Sequence, residues 1–320
     1  MATYKEIHGT SIEVLASDPA NPVLGQIWYN TTSQTLKAYQ FQQAVWASGG
    51  NLSTARYGLA GDGTQTAALA FGGNGAKVNT EEYDGSSWIA GGNLATGRNS
   101  LGGAGTQTAA LGFGGYLSTA IATNITEEYD GSAWTGGGNL STARDYIGGT
   151  GTQTAGLAFG GEDTGIPNSN TTQEYNGTAW TAGGTMNTAI SRAGAAGTQT
   201  AGLSIGGNVP PFSNVTEEYD GSAWTVGGTL NTARYGSSGA GTQTAAVAFG
   251  GYNGDPTGAT EEYDGSTWTT STNMISKRRY LAGAGVQTVA LAAGGLGPPT
   301  YNITEEYTGG FNATVTISGS

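Results

Sequence analysis

The residues able to do chemistry in this chain recur instead of occurring once. Acidic pairs stand at Glu81-Glu82, Glu127-Glu128, Glu217-Glu218, Glu261-Glu262 and Glu305-Glu306, with Gln173-Glu174 as the variant copy. Two carboxylates flanking a bond could hydrolyse a glycoside. Adjacent residues on a strand point to opposite faces, however, so neither pair can close on one bond. A motif that returns in nearly every unit is also a poor active site, because an active site is needed once. The expectation is structural: one glutamate pairs with a nearby arginine or caps backbone amides. The only histidine is His8, and there is no cysteine. That excludes a histidine-based triad within the repeats, a histidine metal cage, thiolate ligands and disulfides.

Arginine recurs with the acidic pairs, at Arg56, Arg98, Arg144, Arg192, Arg234 and Arg278. Six such groups could ring an anion. Their abundance of glutamate partners makes pairing the stronger expectation, since buried charges are paired. Asp-Gly precedes most tryptophans by a few residues, as in Asp84-Gly85-Ser86-Ser87-Trp88. That spacing suits a tight turn, in which glycine supplies positive φ.

These groups are carried by a repeat. The first copy runs Arg56-Tyr57-Gly58, Gly63-Thr64-Gln65-Thr66, Ala67-Ala68-Leu69-Ala70-Phe71-Gly72-Gly73, Glu81-Glu82-Tyr83-Asp84-Gly85 and Trp88. Tyrosine returns at Tyr129, Tyr175, Tyr219, Tyr263 and Tyr307, and tryptophan at Trp134, Trp180, Trp224 and Trp268, with Phe311 in the last slot. Each copy divides into four short segments, a to d, bounded by glycine, asparagine and aspartate. Such segments read as antiparallel strands. Glycine fills 58 of 320 positions, which leaves too few large side chains for one deep core and favours many small ones.

The net charge is −12 and the pI about 4.3, so a phosphate backbone or an acidic membrane surface is an unsuitable partner. No apolar run nears the roughly 18 residues of a membrane span. The start, Met1 to His8, lacks the apolar stretch of a signal peptide, which points to a chain made in a cytosol.

Four strands per 42 to 46 residues with an aromatic signature fit a propeller blade. Gly-Gly, a tyrosine about ten residues on and a tryptophan five residues later resemble the kelch repeat. The resemblance covers residues 49 to 320 and implies an all-β, six-bladed kelch-like β-propeller. Its blades would be about 49–90, 91–136, 137–182, 183–226, 227–270 and 271–320. Kelch-type copper oxidases need histidine and cysteine-linked ligands, which are absent. The Asp-Gly-Ser-x-Trp stretch differs from the Asp-box of sialidases, whose aspartate and glycine are separated by one residue. The reading carries no catalytic residue, cofactor or metal.

Length variation falls in one place. Successive Gly-Gly pairs lie 42, 46, 46, 44 and 44 residues apart, and the b–c loops hold 7, 11, 11, 9 and 9 residues. Removing the loop leaves 35 residues every time. One face is thus held constant while the other carries varied loops, the usual place for recognition. The candidate ligand-binding residues there are Tyr116, Glu162, Asp163, Phe212, Tyr252, Asp255 and Tyr301, with Ile166 and the proline pairs Pro210-Pro211 and Pro298-Pro299 beside them. Tyrosines beside acidic groups could stack on sugar rings and bond their hydroxyls. Glu162-Asp163 offers only two ligands for calcium, too few for a site.

Residues 1–48 differ. Ile27-Trp28-Tyr29-Asn30 and Leu36-Lys37-Ala38-Tyr39 read as a β-hairpin. This stretch resembles a short module near the start of bacteriophage tail-fibre and related virion proteins, and kelch-like repeats behind it resemble proteins of phages infecting marine bacteria. The resemblance implies a non-enzymatic virion protein, present in multiple copies, attached through residues 1–48 to other virion proteins and offering its loops to a host-surface glycan. A purely structural or decorating role, or less readily a glycan-degrading enzyme, would use the same fold. Trp46-Ala47-Ser48-Gly49-Gly50 copies segment d, so either it or Phe311 to Ile317 supplies the last outer strand. Local hairpins close at lower entropic cost, which favours the C-terminal strand.

Overall fold

The Gly-Thr-Gln-Thr turn shows how the repeat folds. In the first copy Gly63 sits at φ 100°, and a Cβ there would meet the Ala67 carbonyl oxygen at 2.3 Å. The Thr64 hydroxyl accepts the Ala67 amide at 3.1 Å, closing the reversal. Strand Ala60–Thr64 thereby pairs antiparallel with Ala67–Phe71, which pairs with Thr80–Tyr83, which pairs with Trp88–Ala90. At the last turn the Asp84 carboxylate accepts the amides of Ser86 and Ser87, both at 2.8 Å, with Gly85 at φ 91°. These amides and the Ser86 hydroxyl hold Asp84 well below the usual carboxylate range. Asp-Gly is therefore a turn, as its spacing predicts.

The structure is a computed structural model that describes residues 12–117, 121–163 and 165–317. Its architecture is all-β and propeller-like: seven four-stranded sheets, six of one repeated antiparallel design. The six a strands, Ala60–Thr64, Gly102–Thr106, Gly148–Thr152, Gly194–Thr198, Ser238–Thr242 and Ala282–Val286, stand side by side in cyclic order, the last beside the first. Glycine and alanine at these strands permit that approach. A Cβ on Gly149, for instance, would lie 2.6 Å from the Gly103 oxygen of the neighbouring sheet.

Three sets of side chains join neighbouring sheets. The turn glutamine reaches back one sheet: Gln107 donates to Ala68 O and Tyr83 O at 3.1 and 2.7 Å, and Gln65 reaches Ala290 O and Tyr307 O. Each d-strand indole donates to the threonine opening the preceding c strand, as Trp134 to Thr80 at 2.9 Å and Trp88 to Thr304 at 2.8 Å. Each repeat tyrosine, fully buried, donates its hydroxyl to the second glutamate of the preceding sheet, as Tyr129 to Glu82 and Tyr83 to Glu306. All three series pass from the sixth sheet to the first without a gap. Between the sheets lie small cores such as Phe71, Leu101, Ala110, Tyr129 and Trp134.

The closing strand is the N-terminal one. Val45–Ser48 pairs with Thr304–Thr308, placing Trp46 opposite Tyr307. Its indole donates to the Thr260 hydroxyl at 3.1 Å and packs 5.2 Å from Phe249. Phe311–Thr316 instead pairs with Thr35–Gln42 in the seventh sheet, which overturns the expectation of a C-terminal closing strand. The compact units are accordingly 45–308 and, separately, 1–44 with 309–320, not 49–320 and 1–48.

The smaller unit contains the expected hairpin: Ile27–Asn30 and Thr35–Gln42 are antiparallel, with Glu13–Leu15 parallel to the first. Trp28 is fully buried, and its indole, the Asn30 amide and Lys37 all donate to Asp18. His8 and the rest of residues 1–11 lie outside the described residues. No helix among the described residues is long and apolar enough to cross a membrane.

Candidate functional site

Repeat arginines build the bases of the first three variable loops. Arg56 is fully buried and donates to Gly72 O at 2.9 Å and Asn79 O at 2.8 Å, the two ends of the first b–c loop. Its other nitrogen meets Glu81 Oε1 at 2.9 Å, and Glu81 Oε2 accepts the Ser53 amide at 2.8 Å. Arg98 clamps Gly114 O and Ile125 O and pairs with Glu127 in the same way. Burial pulls Arg98 down to about 10 although Glu127 opposes it. Arg234 pairs with Glu261 and Arg278 with Glu305. Arg144 clamps its loop at Gly160 O and Thr171 O but meets the Gln173 amide oxygen in place of a carboxylate. The first glutamate of a pair is thus held by arginine and amides, and the second by tyrosine. These arginines are internal clamps, not an anion ring.

Arg192 is the exception and corrects the sequence reading. Ile190, 3% exposed, occupies the fourth clamp position. The buried Glu217 beside it is satisfied by the Asn187 amide and side chain and by the Thr188 amide. Arg192 lies two residues further on and faces the end of the fold where the loops open.

Its position belongs to a ring. The second residue after each clamp slot is Gly58, Ser100, Tyr146, Arg192, Gly236 or Tyr280, and all six have left-handed φ between 46° and 64°. Each donates its amide to the carbonyl of the preceding member: Ser100 to Gly58, Tyr146 to Ser100, Arg192 to Tyr146, Gly236 to Arg192, Tyr280 to Gly236 and Gly58 to Tyr280, at 2.7 to 3.0 Å. Left-handed backbone costs a non-glycine residue about 1–2 kcal/mol. Ser100, Tyr146, Arg192 and Tyr280 bear that cost together at one mouth.

The variable loops attach to this ring. The residue before each ring member pairs through its backbone with the start of a loop: Asn99 with Tyr116, Asp145 with Glu162, Ser191 with Asn208, Tyr235 with Tyr252 and Arg279 with Leu296. Of the candidates read from the sequence, Tyr116, Glu162, Phe212 and Tyr252 join the mouth. Tyr116 accepts from Asn99 Nδ2 at 2.6 Å and lies 6.1 Å from Tyr146. Phe212 and Tyr252 pack with Tyr235 at 5.9 and 5.2 Å. Tyr280 links the two groups, 5.6 Å from Tyr146, 6.0 Å from Tyr235 and 6.5 Å from Tyr57. Asp255 is exposed in the loop that follows Tyr252. Asp163 pairs through its backbone with Ile166, which is exposed. Tyr301 is half-buried near the Arg56 clamp, where its carbonyl accepts the Arg56 amide.

Two guanidinium groups lie over these rings. Arg192 stands 4.3 Å from the Tyr146 centroid and 5.6 Å from Tyr235, with Nη2 2.8 Å from Glu162. That cation occupies the carboxylate considered for calcium. Arg279 stands 4.3 Å from Tyr252, 5.2 Å from Tyr280 and 5.8 Å from Tyr235. Its Nη1 donates to the Tyr235 hydroxyl at 2.9 Å. Burial, then the charge of Glu162, pushes Asp145 beside them up to about 6.

The sequence reading missed Tyr57, Tyr146, Tyr235, Arg279 and Tyr280. Their signal was available: in a constant frame, the two positions after the clamp read Tyr-Gly, Asn-Ser, Asp-Tyr, Ser-Arg, Tyr-Gly and Arg-Tyr.

Inside the ring of a strands the lining is chiefly glycine and alanine. At the end away from the loops Asp62 and Thr150 interrupt it. Asp62 is 9% exposed, its Oδ2 has no hydrogen-bond partner, and burial pushes it up to about 8. No protein-family model matches the chain, and no curated protein matches it.

Proposed function

We propose that this chain is a six-bladed kelch-like β-propeller serving as a non-enzymatic bacteriophage virion protein, with the loop face recognising a host-surface glycan and the smaller unit attaching to other virion proteins. One observation carries the recognition part of this reading. The loops that vary in length and the six left-handed residues converge on one mouth that gathers tyrosine, phenylalanine and arginine, residues enriched at interfaces. The opposite end repeats the same Gly-Thr-Gln-Thr turn, apart from Gly-Val-Gln-Thr at residues 285–288. The virion part rests on the resemblance of the N-terminal hairpin and the repeats. The carboxylates of the Glu-Glu pairs are engaged in frame contacts, which favours binding over hydrolysis. Weak contact at each propeller would be multiplied by copy number on a particle.

Whole-cell adsorption of particles carrying Tyr252→Ala or Tyr301→Ala, with a glycan array on the isolated protein, tests the reading. Adsorption should fall for Tyr252→Ala, which lines the mouth, more than for Tyr301→Ala. Unchanged adsorption for both, with no glycan bound, would leave the propeller a structural or decorating role.

A further inference from the structure

We propose that the mouth is a single axial site for an acidic saccharide, with Arg279 as the group that binds its carboxylate or sulfate. The proposal rests on the recognition reading above and names its ligand class.

Arg279 differs from every clamp arginine. It is only half-buried, and no carboxylate lies within ion-pairing distance among the described residues. Nη1 is held by the Tyr235 hydroxyl and Nε is buried without a partner, which leaves Nη2 without a hydrogen bond. The guanidinium is fixed between the faces of Tyr252 and Tyr280. In a chain of net charge −12, a cation that the fold immobilises yet leaves unneutralised is an anion receptor. Guanidinium is also the side chain whose planar fork best matches a carboxylate.

The neighbouring cation is of a different kind. Arg192 is neutralised by Glu162, and Ser191 donates to the same carboxylate. Among the described residues the mouth therefore has one guanidinium without an ion pair, on the Tyr235–Tyr252–Phe212 side. The throat within the left-handed ring is about 100 Å³, bordered by Tyr146, Arg192 and Tyr280. Small-molecule pockets span roughly 300–1,000 Å³, so the throat admits a ring substituent and not a whole ligand. The ligand consequently lies across the tyrosines. Their hydroxyls offer hydrogen bonds and their faces offer stacking, a combination suited to a sugar ring with polar edges.

Calorimetry against uronated, sialylated and sulfated oligosaccharides, each paired with its neutral counterpart, tests the assignment. The wild type should favour the acidic members, with affinity falling as salt screens the charge. Arg279→Gln should lose at least tenfold on the acidic members and nothing on the neutral ones. Tyr252→Ala should weaken both. Amide exchange at Ser100 and Tyr146 would report an intact ring in each variant. Equal binding of acidic and neutral members, or an unchanged preference in Arg279→Gln, overturns the acidic assignment while loop-dependent adsorption still stands. Wild-type protein that binds no glycan overturns the assignment too. The recognition reading falls with it only if adsorption also ignores the loop variants.

Discussion

Asp62 sets up a sharp test of how the propeller-like frame responds to pH. The five equivalent a-strand positions carry Ala104, Thr150, Ala196, Ala240 and Ala284. Thr150 satisfies its hydroxyl on Gly197 O at 2.7 Å, whereas the buried Asp62 Oδ2 has no hydrogen-bond partner among the described residues. Burial raises it from 3.8 to about 8. A raised acid holds its proton in the folded state after the unfolded chain has released it. Stability is therefore full below about pH 4 and declines as pH climbs towards 8. At 1.36 kcal/mol per unit, the ceiling on that loss is ~6 kcal/mol. Water entering along the glycine-lined axis reduces it. Asp62→Ala should match wild type near pH 4 and exceed it increasingly up to pH 8. Urea denaturation at intervals across this range measures the gap through the midpoint at constant m-value. A gap that stays flat with pH, or an alanine variant less stable than wild type at pH 8, would refute the argument. Either result would mean that the carboxylate has a stabilising partner.

Two further outcomes follow from the frame. Trp46→Ala should cost about 3–5 kcal/mol, the usual loss for truncating a buried aromatic, whereas deleting 309–320 should leave thermal unfolding of the 45–308 unit unchanged; differential scanning calorimetry separates the two. Ser100→Gly should raise stability by up to about 1 kcal/mol by relieving the left-handed backbone, read as a rise in urea midpoint, and a fall would show that the serine side chain is needed there.

Much of this was legible in the sequence. The four-strand unit, the Asp-Gly turn, the Asn30–Thr35 hairpin and the pairing of arginine with one glutamate of a pair all follow from period and charge. The closing strand was not legible, because a local connection and a distant one compete there and side-chain contact decides between them. Loop-closure entropy grows only logarithmically with length. Against it stand the Trp46 bond to Thr260 and its packing on Phe249 and Tyr307. The Trp46-to-Gly50 copy of segment d was the better guide. The fourth arginine was misassigned by residue type instead of register. Five clamp arginines precede the turn glutamine by nine residues, as Arg234 precedes Gln243, but Arg192 precedes Gln199 by seven. Ile190 has the correct spacing. The left-handed ring was out of reach, because no residue type announces a conformation that Ser, Tyr, Arg and Gly all adopt.

The frame and the mouth depend on each other through strain. Ser100, Tyr146, Arg192 and Tyr280 hold a backbone that glycine would hold at lower cost, as Gly58 and Gly236 do at the same positions. Such strain persists only where the surroundings over-determine it. Here the surroundings are the cyclic glutamine, tryptophan and tyrosine bonds between sheets and the buried arginines at five of the six clamp positions. Tyr146, Arg192 and Tyr280 also bring to the mouth the rings and charge that glycine lacks. A chain selected for stability alone would carry glycine at all six positions. That it carries two aromatic residues and a cation there, within reach of Arg279, is the physical reason to place recognition on the axis and not on the separate loop tips.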